Sequence, residues 1–114
     1  ILIAKTKEPV LTNEQESPWQ VGFTGKAKKQ KEKLPAAIAA VLYVLRKELE
    51  AEGPERTNWH HYGKITGKPD MHHCHLNKGK PRYVAVWKVT ARSVKLMEIR
   101  YVGTHENADY RRID

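Results

Sequence analysis

The chain has 114 residues, with 21 Lys plus Arg against 13 Asp plus Glu and a net charge of +8. That length fits one domain with a single modest core, and so large a positive excess points to a polyanion or an acidic protein as partner rather than to solubility alone. One cysteine, Cys74, excludes an intramolecular disulfide and fits a reducing cytoplasm, and no apolar run approaches the roughly 20 residues of a membrane span.

Residues 1–18 read as an N-terminal extension. Its first apolar residues suit a short strand, and Thr12-Asn-Glu-Gln-Glu-Ser-Pro18 reads as a polar loop. Residues 19–114 form the domain. Trp19-Gln-Val-Gly-Phe-Thr24 alternates apolar with small or polar residues, as a half-buried strand does. Thr24 is placed to cap a short basic helix through Lys26-Ala-Lys-Lys-Gln-Lys-Glu-Lys33, read as a solvated face with RNA contact as the second reading. Pro35 suits the first position of a second helix, whose Ile38, Val41, Leu42, Leu45 and Leu49 make one apolar stripe. Gly53-Pro54 ends it.

Three strand-like runs follow: His72 to Leu76, Tyr83 to Val89 and Val94 to Val102. Asn77-Lys-Gly-Lys-Pro81 and Thr90-Ala-Arg-Ser93 are the turns between them. The pattern predicts an α+β fold, with the N-terminal strand and two helices packed on a small, mostly antiparallel sheet. Trp19 and Trp87 fall in strand patterns and belong to the core.

All six histidines fall into three clusters outside the helices. The first is Trp59-His-His-Tyr-Gly-Lys64. The second is His72-His-Cys-His75 with Lys78, Lys80 and Arg82. The third is His105 with Tyr110, Arg111 and Arg112, after Gly103, which is expected to bend the chain. Strand alternation places His73 and His75 on one face and His72 and Cys74 on the other, with His72 toward the surface. The same alternation disfavours a zinc site, because adjacent strand residues cannot close one tetrahedron. A meander brings the second and third clusters to one end of the sheet.

These are the parts of a metal-free ribonuclease. Imidazoles take and give protons near neutral pH, a guanidinium matches two phosphate oxygens, and an aromatic ring stacks on a base. His75 and His105 are the candidates for proton transfer, and Arg82 with Lys80 for the phosphate. Lys78, Arg111 and Arg112 are candidates for the RNA backbone, and His61 and His73 for further substrate contacts. Tyr110 either orients a base or covers the edge of the core.

From Trp19 onward the order of motifs resembles the RelE superfamily of bacterial toxin mRNA interferases, particularly its YafQ-like and HigB-like branches. The likeness lies in Trp19 to Thr24, the Lys-rich piece into Leu34-Pro35, the helix ending at Gly53-Pro54, and His73-Cys-His75. Arg82-Tyr-Val-Ala-Val-Trp-Lys-Val89 and Val102-Gly-Thr-His105 with Tyr110 complete it. The resemblance implies a RelE-like fold, mRNA cleavage by 2′-hydroxyl attack without a metal or cofactor, often on the ribosome, and a cognate antitoxin protein as partner. By position, His75 and His105 match two YafQ-type histidines, Arg82 the phosphate-binding arginine and Tyr110 the terminal aromatic. The chain departs from that pattern in lacking an aspartate near Arg82 and in placing Tyr110 five residues after His105 instead of four. The histidine of the earlier loop has His60 or His61 as its counterpart. Two rival readings are a non-catalytic toxin of the ParE type and a simple RNA-binding module on the same fold.

Overall fold

The structure, a computed structural model, describes residues 18–114. The expected short strand and most of the expected polar loop lie in residues 1–17, outside those described.

The first strand, β1 (Gln20–Phe23), hands over to α1 (Gly25–Glu32) through Thr24. The Thr24 hydroxyl oxygen accepts from the Ala27 N–H at 3.1 Å, satisfying one of the donors that a helix start leaves open. Pro35 then stands as N-cap of α2 (Ala36–Glu52), one place before its expected position. Ile38, Leu42, Leu45 and Leu49 are the buried side of α2, as its stripe requires. Each fully buried leucine there contributes about 2 kcal/mol by leaving water. Gly53 ends the helix at φ +96°, and a Cβ at that position would stand 3.1 Å from the Trp19 indole nitrogen. Both the dihedral and the close approach call for glycine.

The sheet is formed by β2 (Gly63–Lys64), β3 (Met71–His75), β4 (Tyr83–Ala91) and β5 (Leu96–Thr104) together with β1. Its order is β1-β5-β4-β3-β2. Only the β1–β5 pair is parallel. The α+β arrangement and the mostly antiparallel sheet are those read from the sequence. Three details differ. The two-residue strand β2 is too short to show a periodicity of its own. β4 runs on to Ala91, so the turn shifts to a 3-10 segment at Arg92–Val94 closed by Lys95 in the left-handed region. β5 therefore starts at Leu96 and extends through Gly103 to Thr104.

Each face of the sheet has its own core. On the helix side, Ala27 of α1 and the α2 stripe meet Cys74, Ala85, Trp87, Met97, Ile99 and Val102. Trp87 is fully buried, and its indole N–H donates to the Pro54 carbonyl at 3.2 Å. On the other side, Met71, Val84, Val86 and Tyr101 are covered by Ile65 and by Ala108, Tyr110 and Ile113 of the C-terminal segment. That second face carries the site. Among the described residues, no helix is long and apolar enough to cross a membrane.

Candidate active site

Register does most of the assembly. His75 pairs with Val84 and His73 with Val86, so both histidines share the face away from α2. Tyr83 pairs with Thr104, which makes Arg82 and His105 the next neighbours along the same two strands. The His105 N–H donates to the Arg82 carbonyl at 2.7 Å. Three residues far apart in sequence thus meet at one end of the sheet.

The turn at Trp59–Tyr62 adds two more imidazoles. Its His60 carbonyl accepts the His75 N–H at 2.8 Å, which ties the turn to β3. His61 adopts φ +55°, a left-handed conformation uncommon outside glycine, and its ring stacks on His75 with centroids 4.3 Å apart. His60 lies edge-on to His61 at 4.5 Å, and His105 edge-on to His75 at 5.4 Å. One carboxylate oxygen of Glu48 on α2 anchors this loop from beneath. It accepts from the Trp59 indole at 2.8 Å, Arg56 at 3.0 Å and Asn58 at 3.1 Å. Burial alone would raise the Glu48 pKa, but these bonds bring it below the usual value.

Crowding decides the charge state. Burial, then neighbouring His61, His105 and His73, then Arg82, push the His75 pKa down to about 4. At neutral pH His75 is therefore an uncharged imidazole, and its buried Nδ1 has no hydrogen-bond partner among the described residues. The pKa of His60 is lowered by desolvation and then by His61, Lys78 and Arg82. That of His73 is lowered by burial, against an opposing hydrogen bond from Nδ1 to the Gly63 carbonyl at 2.9 Å.

The other sequence candidates surround this group. His73 faces Tyr110 with ring centroids 5.5 Å apart. The Tyr110 ring packs on the second core, and its hydroxyl is buried without a partner among the described residues. Lys78 and Lys80 are exposed on the 77–81 loop, which Asn77 closes by donating to the Pro81 carbonyl at 3.1 Å and accepting from the Tyr83 N–H at 2.7 Å. Arg82 is exposed beside the imidazoles. Arg111 and Arg112 are exposed in the C-terminal segment, where Asp109 pairs with them at 3.7 and 3.5 Å. The structure thus groups His61, His75, Arg82 and His105, with His73 and Tyr110 a step along the same face. Arg112 lines a separate cleft against α1.

Two expectations are corrected. His72 is fully buried instead of lying at the surface. Its ring stacks on Trp87, with Nε2 at 3.0 Å from Asp70 and Nδ1 at 2.7 Å from the Tyr62 hydroxyl. Arg92 holds the Asp70 carboxyl down to about 2, so Asp70 only accepts. His72 therefore donates through Nε2 and receives the Tyr62 proton at Nδ1. Asp70 two residues back, the Tyr62 hydroxyl and the covering Trp87 ring together offset its burial, and the last two do not show in the local pattern. Gly103, in turn, does not bend the chain. It is a paired strand residue, and a Cβ there would stand 2.7 Å from the Tyr101 hydroxyl, which donates to the Thr104 carbonyl at 2.9 Å. Glycine is needed there to make room.

Sequence reasoning also missed the anchoring role of Glu48 and the cluster of Glu55, Asp70 and His72, whose ligand-type atoms lie within 4.8 Å of one another. Arg92 bridges both of its carboxylates, at 3.0 and 2.8 Å, and already supplies the cation there. Cys74 is buried on the helix side, with its thiol pushed up to about 12 by burial and then by Glu48.

No protein-family model matches the sequence, and no curated protein does. Solved structures do match. A mutant of the Escherichia coli toxin RelE in the free state superposes with a TM-score of 0.63 at 22% identity, over 81% of this chain and 88% of that one. The archaeal RelE–RelB complex from Pyrococcus horikoshii gives 0.61 at 20%, covering 81% of this chain and all of its match. A RelBE toxin–antitoxin complex from Mycobacterium tuberculosis gives 0.59 at 19%, over 78% and 100%. With its parallel β1–β5 pair, antiparallel meander and two helices on one face, the chain has the fold of the RelE toxins.

Proposed function

We propose that the chain is the toxin of a toxin–antitoxin pair, an endoribonuclease that cuts mRNA without a metal by attack of a ribose 2′-hydroxyl on the adjacent phosphate. The observation that carries the reading is the stack of His61 on His75, with His105 edge-on at 5.4 Å and Arg82 alongside. His75, uncharged at neutral pH, takes the 2′-hydroxyl proton. Arg82 and Lys80 hold the charge on the phosphate oxygens. The 3′-oxygen stays bonded to phosphorus, the bond to the 5′-oxygen breaks, and His105 protonates that leaving oxygen. The products are a 2′,3′-cyclic phosphate and a 5′-hydroxyl.

The surrounding residues serve binding. Tyr110 and His73 offer an aromatic edge to a flanking base. Lys78, Arg111 and Arg112 contact the RNA backbone, and His61 keeps the His75 ring in place. A net charge of +8 suits both RNA, presented by the ribosome, and an acidic antitoxin that covers the same face. The RelE–RelB complexes among the similar structures support that partner.

The test is incubation of the purified chain with mRNA, with and without ribosomes, in chelator, followed by mapping of the ends. Cyclic-phosphate ends formed despite chelation support the reading. Cleavage that appears only on adding zinc refutes it, and intact RNA under every condition favours a non-catalytic toxin.

A further inference from the structure

A cleft of about 740 Å³ lies between α1, β5 and the C-terminal segment. It is distinct from the imidazole group but begins at the same strand end. Tyr83 and Thr104 line it, and their chain neighbours Arg82 and His105 belong to the candidate active site. β1 stops at Phe23, opposite Ile99, so the outer edge of β5 beyond Ile99 has no neighbouring strand. A register shift opposite Val86 and Trp87 leaves Arg100 as an extra residue in β5, a bulge that turns it out of the ladder at the cleft.

The walls carry four cations: Lys26 of α1, Lys33 at the C-cap of α1, Arg100 of β5 and Arg112 of the C-terminal segment. Asp109 and Asp114 also line the cleft: Asp109 pairs with Arg112 at 3.5 Å and Asp114 with Lys68 at 3.2 Å, while Arg100 is taken up by Glu98 at 2.9 Å and by the Asp114 main-chain carbonyl. Lys26 and Lys33 have no ion-pair partner among the described residues.

We infer that this cleft is a second RNA subsite, holding by their phosphates the nucleotides next to the scissile one; the inference rests on the imidazole group being the cleavage site. The competing occupant is an acidic protein strand added to β5. The edge disfavours it, because such a strand needs the Val102 N–H, and the Gln30 side chain already accepts that bond at 3.1 Å. Phosphates need no ladder. Lysine meets them as a point charge, and the Tyr83 ring on the cleft wall offers a surface for a base.

The experiment compares Lys26→Gln/Lys33→Gln with Lys28→Gln/Lys29→Gln, which removes the same charge from the same helix but outside the cleft. The probe is a labelled single-stranded RNA of about 12 nucleotides, 2′-O-methylated so that it cannot be cut. Neutralising the two cleft lysines is expected to weaken binding about tenfold and to reduce the salt slope by about 1.4, at roughly 0.7 per lost phosphate contact. The control pair is expected to leave both near wild type. Equal losses in the two variants, no loss in either, or lost binding of a polyglutamate peptide with RNA binding intact would each overturn the subsite. Cleavage of unmodified RNA is scored separately. RNA held through Lys26 and Lys33 but never cut by the wild-type chain would keep the cleft as an RNA site and sink the cleavage reading. RNA cut by the wild-type chain but bound equally by all variants would sink the cleft alone.

Discussion

His61 stacks on His75 with ring planes 26° apart, although the two residues come from different elements joined there by a single backbone hydrogen bond. The contact exists because His61 takes a left-handed backbone, which swings its ring over the end of β3. A proton on His75 would be cut off from water first and would then face the neighbouring rings and Arg82. His75, the most enclosed of the group, carries the consequence and stays neutral well below the usual histidine pKa.

That neutral state fixes the acid limb of the proposed reaction. A base must be unprotonated to act, so kcat/KM is expected to rise with pH only up to about 4 and to be flat above it, until the acid loses its proton. His75→Ala and His105→Ala are each expected to lower cleavage about 100-fold or more. A pH profile with its acid limb near 6.5 would show that another group is the base.

The same shift appears in stability. The folded His75 pKa lies near 4 and the unfolded value near 6.5, so the unfolded chain binds the proton more readily between them. Stability is therefore full above pH 6.5 and is lost as pH falls toward 4. The contribution of this one nearly buried group reaches at most about 3 kcal/mol. Urea unfolding of the wild type at pH 7 and pH 4.5 should show a clear drop, and His75→Gln should shrink it. An identical drop in that variant would assign the effect to the other depressed histidines, His60, His72 and His73.

How much of this is legible in the sequence follows from where each signal resides. The α2 stripe and the β4 and β5 runs carry their own periodicity, and the alternation in His72-His-Cys-His75 separates two faces without further information. The adjacency of Arg82 and His105 follows from a meander of matched strands. The burial of His72 does not, because beyond the nearby Asp70 it depends on Tyr62 and the covering Trp87, which come from separate segments. Nor does the role of Glu48, which looks like any charge flanking a helical stripe until the loop folds over it. Gly103 is legible as a special position, but its reason lies in Tyr101, two residues back, whose ring folds over it.

Glu48 offers a test of how the loop positions its histidines. Glu48→Ala removes the acceptor for three donors at once and is expected to cost about 3 kcal/mol in urea unfolding. Glu48→Gln keeps a carbonyl oxygen for the same donors, and should recover roughly half of that. Since Glu48 lies beneath the loop, both variants should lower kcat in proportion to lost loop order, with the alanine worse. A fully active Glu48→Ala protein would mean that the loop histidines do not depend on this anchor.

The glycine of the Val102-Gly-Thr-His105 stretch can be tested by pairing it with Tyr101. Gly103→Ala pushes a methyl group to 2.7 Å from the Tyr101 hydroxyl and 3.0 Å from the ring carbon that bears it. The ring must shift, at an expected cost of about 1–3 kcal/mol. Tyr101→Phe alone gives up the bond to the Thr104 carbonyl, about 1 kcal/mol. In the double variant the closest clash is gone, so the combined cost should fall short of the sum by about 1 kcal/mol. Because Thr104 leads directly into His105, cleavage should recover along with stability when Phe replaces Tyr in the Gly103→Ala background. Strictly additive costs would show that the glycine answers to something other than the tyrosine hydroxyl.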